Sequence, residues 1–107
     1  VEAATAALAE TLGAGAVVVV RDGPGGCWVR LDGVTTHVPG FPQEPVDTNG
    51  AGDAHTRVLV AERTLGTDWL EAARRANAAG AIQVTRWGPS SAPTRAEVDA
   101  FLAERQA

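Results

Sequence analysis

Ala16-Val17-Val18-Val19-Val20 is the stretch whose reading sets the architecture of this chain. It is a continuous apolar run, β-branched after its first residue, and it lacks the alternation of a half-exposed strand. Such a run reads as a strand buried on both faces, as in a parallel sheet. Upstream, Glu2 to Leu12 is rich in Ala, Leu and Glu and reads as a helix stopped by Gly13 and Gly15. Downstream, Asp22-Gly23-Pro24-Gly25-Gly26 is a turn cluster. Cys27–Leu31 and Val34–Val38 then flank Asp32-Gly33, the pattern of a hairpin with a two-residue turn. Pro39, Gly40, Pro42 and Pro45 enforce an extended loop up to Val46.

The second half reads as helices. One opens at Gly50 or Gly52 and runs to about Leu65, where Gly66 stops it. Thr67 or Asp68 caps the next, Trp69 to Val84, whose inward positions are Leu70, Ala73, Ala76, Asn77 and Ala81. Gly80 inside that helix costs roughly 1 kcal/mol relative to Ala, which fits either a close approach by a backbone or ligand or simple tight packing. Residues 88–93 read as a loop. Thr94 and Glu97 form a capping box for a last helix that buries Val98, Phe101 and Leu102. Residues 1–107 thus read as a single α/β segment, with too few strands to cover both faces of the sheet.

Composition narrows the function. Net charge is −4 and all nine basic residues are Arg, without a basic run, so nucleic acid is a poor candidate partner. The absence of Lys excludes Schiff-base chemistry and a P-loop lysine within the chain. Cys27, the only cysteine, excludes an internal disulfide and reads as a small buried hydrophobe. No apolar run reaches membrane-spanning length and no signal peptide opens the chain, so the expected setting is cytoplasmic, without a membrane partner. His37 and His55 form no metal-ligand pattern, and Trp28, Trp69 and Trp87 read as core or interface.

The chemistry is concentrated in Val46-Asp47-Thr48-Asn49-Gly50-Ala51-Gly52-Asp53. Small residues at a helix N-terminus let backbone N–H groups approach a phosphate at the positive end of the helix dipole. Asp53, in the first turn, is placed to remain ionised and accept a proton. Taken alone, a short glycine motif of this kind also fits an ordinary loop-to-helix turn.

The wider pattern resembles the ribokinase-like (PfkB) family of carbohydrate and nucleoside kinases. The resemblance runs from Val17–Gly26 through Val38-Pro39 and Val46–Ala54 to Ala76–Ala81, Val84–Gly88, Pro93–Val98 and Phe101-Leu102. It implies the C-terminal part of a ribokinase-like three-layer α/β/α sandwich. It implies that Asp53 is the catalytic base and that the amides at Gly50, Ala51, Gly52 and Asp53 form the anion hole. Arg21 and Gly23 match the nucleotide-contacting turn, and Asn77 matches a position beside the adenine. Asp47 and Asn49, with Gln83, Arg86, Gly88 and Ser91 mostly through carbonyls, match the surroundings of a monovalent cation such as K+. ATP with Mg2+ is the implied donor, and a sugar or nucleoside hydroxyl the implied acceptor.

Three departures qualify the resemblance. Arg57 and Val58 replace small residues, and Arg57 is one helical turn from Asp53, the spacing either for an ion pair that would lower the basicity of Asp53 or for a side chain that simply faces solvent. His55 replaces a usual Phe. The chain is about a third of a complete member's length, lacks the acceptor-binding portion, and starts without an initiator Met, which is the expectation for a fragment. The rival expectation is a non-catalytic nucleotide-binding or interaction module that needs a partner: a homo-oligomer, or a complementing N-terminal chain over the uncovered sheet.

Overall fold

A computed structural model describes residues 1–12, 15–86 and 93–106. The elements are α1 (Glu2–Leu12), β1 (Val18–Arg21), a short 3-10 turn (Gly23–Gly25), β2 (Gly26–Leu31), β3 (Val34–Pro39), α2 (Ala51–Thr64), α3 (Trp69–Val84) and α4 (Arg95–Gln106).

The strands form one sheet in the order β1-β2-β3. Both pairings are antiparallel, with Val19 opposite Val29 and Cys27 opposite Val38. The parallel arrangement expected for the valine run is therefore corrected at this edge. The cause is the connection: Asp22–Gly25 is a single tight turn, closed by Asp22 N–H to Gly26 O at 2.8 Å, whereas parallel neighbours need a crossover of a dozen or more residues. The hairpin expectation holds. Leu31 pairs with Val34 around Asp32 (φ 51°) and Gly33 (φ 81°), the left-handed pair that a two-residue primed turn requires.

Helices cover both faces. Val19, Cys27, Val29 and Val38 point to one side and pack with Ala73 of α3, Leu59 of α2 and Trp69. Val18 points the other way and is still buried, because α1 lies across all three strands on that side. This gives the α/β/α layering. A second core joins α3 to α4 through Ala78, Ala79, Ile82, Val98 and Leu102, and Phe41 of the proline-rich loop meets Phe101 edge-on. The end of α3 behaves as its sequence predicts, with the Asp68 carboxylate accepting from Glu71 N–H at 2.9 Å. The capping box of α4 also forms, Glu97 N–H to Thr94 Oγ1 at 3.2 Å and Thr94 N–H to Glu97 Oε1 at 3.0 Å. Leu70 is corrected: it is exposed rather than inward, since it directly follows the cap residue's neighbour on the first, outer turn.

One polar cluster ties the helices together. Glu62 of α2 is only 2% exposed; it accepts hydrogen bonds from Arg95 Nε at 2.8 Å and Thr67 Oγ1 at 2.8 Å, and forms an ion pair with the Arg75 guanidinium, Nε lying 3.2 Å away. Arg75 also pairs with Asp99 of α4. The Arg95 hydrogen bond is the main reason the Glu62 carboxyl is held down to about 2, against an ordinary 4.5. A depressed carboxyl contributes stability above its ordinary range, and loses that contribution as pH falls from 4.5 towards 2. Glu62→Gln is expected to destabilise the chain by about 3 kcal/mol near pH 7, the low end for breaking a buried pair. Urea titrations should show the gap to wild type narrowing as the pH is lowered below 4.

Candidate functional site: a cleft at the N-terminus of α2

The turn that opens α2 is built by glycine. Gly50 takes φ 85° in the left-handed region as the N-cap residue, and no side chain caps the helix. This contrasts with α3 and α4, which are both capped by side chains. The first-turn amides of a helix have no partner four residues back, so those of Gly52 and Asp53 point out of the helix start. Ala51 N–H has only a long contact, 3.4 Å, to Thr48 O. The loop before the turn is pinned: Asp47 Oδ1 accepts from Asn49 N–H at 2.9 Å, and Val84 O accepts from Val46 and Asp47 N–H at 2.7 and 3.1 Å.

Ala51 and Gly52 line one wall of a cleft of about 500 Å³. Arg21, Gly23 and Pro24 supply the β1–β2 turn, Phe41, Pro42 and Pro45 the loop, and Asn77, Gly80, Ala81 and Val84 one face of α3. Gly80 faces both the cleft and the start of α2, and an added Cβ would meet Ala51 O at 3.7 Å, an ordinary contact, so the fold itself does not demand glycine here. Gly26 and Gly40 bring the two loops together, and a Cβ on Gly26 would lie 2.2 Å from Val38 O. Arg21 Nη1 donates to Gly52 O at 2.6 Å and to Thr56 Oγ1 at 3.0 Å. The arginine thus joins the end of β1 to the turn and places a positive charge beside the uncapped amides.

Asn77 is the buried polar centre of the cleft. Its Nδ2 donates to Val38 O at 2.9 Å and Pro39 O at 3.1 Å, which turns Oδ1 towards His55 Nε2 at 3.0 Å. His55 is a residue that sequence reasoning set aside. It lies 7% exposed on α2 and lines the cleft. Its legible signal was a polar residue flanked on the buried face by Ala54 and Val58. Burial lowers the His55 pKa; the bond to Asn77 opposes this and the charge of Arg21 adds to it. The balance favours the neutral ring. Cys27, fully buried beside Asn77, has its thiol pKa pushed up by burial.

The other site candidates are placed less uniformly. Asp53 is exposed in the first turn of α2 and is not among the residues lining the cleft. Arg57 makes no ion pair with it; among the described residues it lies in a separate hollow with Val58, Ala61 and Arg95. Of the two readings of Arg57, an ion pair with Asp53 and a side chain facing solvent, the pair does not form, in keeping with the weakness of exposed ion pairs. Asp47 and Asn49 come to the C-terminal end of α3, where Gln83 is buried and Arg86 pairs with Glu97. Gly88, Ser91 and Trp87 lie outside the described residues. No group of three His, Cys, Asp or Glu suited to a metal is found among the described residues, and none of their helices is long and apolar enough to cross a membrane.

An uncapped helix start in a cleft wall leaves backbone donors at the positive end of a helix dipole, a geometry able to receive an anion. Residues 1–95 match the model of the pfkB family carbohydrate kinases, and the chain belongs to that family. It is 40% identical over 89 residues to the ATP-dependent ribose-1-phosphate kinase of Halopiger xanaduensis, covering 83% of this chain and 30% of that protein. A provisionally named ribokinase II from E. coli, solved in complex with ATP and Mg2+, superposes with a TM-score of 0.77 at 37% identity, over 82% of this chain and 29% of the other. A fructokinase double mutant from Vibrio cholerae O395, in its fructose-, ADP- and potassium-bound form, gives 0.75 at 34% identity, over 80% and 30%. The chain thus spans about 30% of the length of the curated relative it matches. It is a ribokinase-like segment.

Two substitutions test the geometry. Asn77→Ala would strand the buried Val38 carbonyl and the His55 ring, and is expected to cost about 3 kcal/mol in chemical unfolding. Gly50→Ala forces a Cβ into the left-handed region and is expected to cost about 1–2 kcal/mol, measured in the same way.

Proposed function

We propose that this segment supplies the nucleotide site and the catalytic base of an ATP-dependent phosphotransferase acting on a sugar or nucleoside hydroxyl. The observation that carries the reading is the uncapped start of α2, open to the cleft and flanked by Arg21. In the proposed reaction the amides of Ala51, Gly52 and Asp53, on the turn made by Gly50, hold the transferring phosphoryl group. Asp53 takes the proton from the acceptor hydroxyl. The hydroxyl oxygen forms a bond to the γ-phosphorus as the bond to the β,γ-bridging oxygen breaks, and ADP leaves. This is catalysis by position and charge, with little covalent work for the protein. The exposure of Asp53 outside the cleft lining suits a base that meets an acceptor arriving from the open side, while the nucleotide occupies the cleft.

Arg21, Gly23 and Asn77 belong to the nucleotide wall in this reading. Mg2+ bound with ATP supplies neutralisation of phosphate charge. A monovalent cation such as K+ is assigned to the loop of Asp47 and Asn49 and the carbonyls around Gln83, Arg86, Gly88 and Ser91. The fit rests on the docking of Val46 and Asp47 against Val84 O, which brings that loop to the negative end of the α3 dipole. The acceptor is held by a complementing N-terminal chain portion or by another copy of the chain, in the cytoplasm. The exposed base also favours a second reading, a nucleotide-binding module without catalysis.

Phosphotransfer from ATP to ribose, fructose and inosine, measured on the full-length gene product, separates the two. The kinase reading expects turnover that falls about 10²–10⁴-fold in Asp53→Asn, with ADP affinity retained. ADP binding by the wild type without turnover on any acceptor supports the binding module instead.

A further inference from the structure

The two histidine nitrogens of His55 are distinguishable from the hydrogen bonds around it. Asn77 spends both amide hydrogens on Val38 O and Pro39 O. Only its Oδ1 faces His55, so the ring must donate through Nε2. In the neutral ring Nδ1 then carries a lone pair. No hydrogen bond to Nδ1 is made by the described residues, and Nδ1 is not among their sealed, unpartnered polar atoms. The residue lines the cleft between the phosphate-side turn, at Ala51 and Gly52, and the apolar walls of Phe41, Ala81 and Val84. Asn77, by contrast, has no amide hydrogen left for a ligand.

We propose that His55 Nδ1 is the acceptor this cleft presents to the nucleoside half of a bound nucleotide, and that Asn77 is the positioning residue that sets its tautomer. The inference rests on the nucleotide reading above. It goes beyond that reading by moving the polar contact from Asn77 to His55. The ligand chemistry is an N–H or O–H donor, either the 6-amino group of adenine or a ribose hydroxyl. A phenylalanine at this position would offer no acceptor at all. The neighbouring charge is Arg21, reaching from β1, and the neighbouring thiol is Cys27 of β2; neither competes for Nδ1 in the structure.

The test uses ADP and the chain itself. Imidazole 15N shifts should show the Nε2–H tautomer in the free wild type, and the Nδ1–H tautomer in Asn77→Ala or a mixture there. Calorimetric titration should show ADP affinity about 3–10-fold weaker in His55→Phe, the range for one neutral hydrogen bond, with partial rescue in His55→Gln. Purine riboside 5′-diphosphate lacks the amine, and 2′- and 3′-deoxy-ADP each lack one hydroxyl. The wild type should lose a similar factor on one of these three, and His55→Phe should not distinguish that analogue from ADP. A wild-type Nδ1–H tautomer overturns the inference. So does His55→Phe binding ADP as the wild type does with the same analogue preferences, and in that case the nucleotide reading survives. Absence of ADP binding by the folded wild type overturns both.

Discussion

The cleft depends on one buried amide. Asn77 sits in the middle of α3, yet its side chain closes the end of β3 by taking the Val38 and Pro39 carbonyls and holds His55 on α2. A sheet edge, α3 and the start of α2 therefore meet on a single side chain that is 6% exposed. Buried polar groups are costly unless satisfied, and this one satisfies three partners at once. Helix–sheet packing through Ala73 and Val29 could tolerate small shifts; a fixed set of donors and acceptors cannot. That is how a core made mostly of alanine and valine still positions the wall of a binding site.

The second constraint is at the start of α2. Two helices of the chain spend side chains on their N-termini, and α2 does not. Gly50 makes the turn, Gly52 lets Arg21 approach, and Val84 O anchors the loop in front. The result is a set of backbone donors facing outward beside a guanidinium, held by contacts from three elements. The Glu62 cluster at the far end of α2 keeps that helix fixed against α3 and α4, so the turn is carried on a rigid element.

Much of this was legible in the residues. The limits of α3, the Asp68 cap, the Thr94–Glu97 box and the Asp32-Gly33 turn are local features, and local chemistry specifies them. The family motif falls on the turn that opens α2. What failed needed tertiary information. The valine run looks the same in parallel and antiparallel sheets, and only the tight Asp22–Gly25 connection, visible but not weighed, decides its pairing with β2. The Glu62–Arg75–Arg95 cluster joins residues far apart in sequence. His55 looks like an ordinary surface histidine until Asn77 is found beside it.

The central claim is that the amides opening α2 bind an anion from a nucleotide in the cleft beside them. A 1H–15N titration of the chain with ADP reads those amides one by one. The account predicts that Ala51, Gly52 and Asp53 shift together and saturate along with residues of the cleft wall. Saturable ADP binding that leaves these three amides unmoved would contradict it.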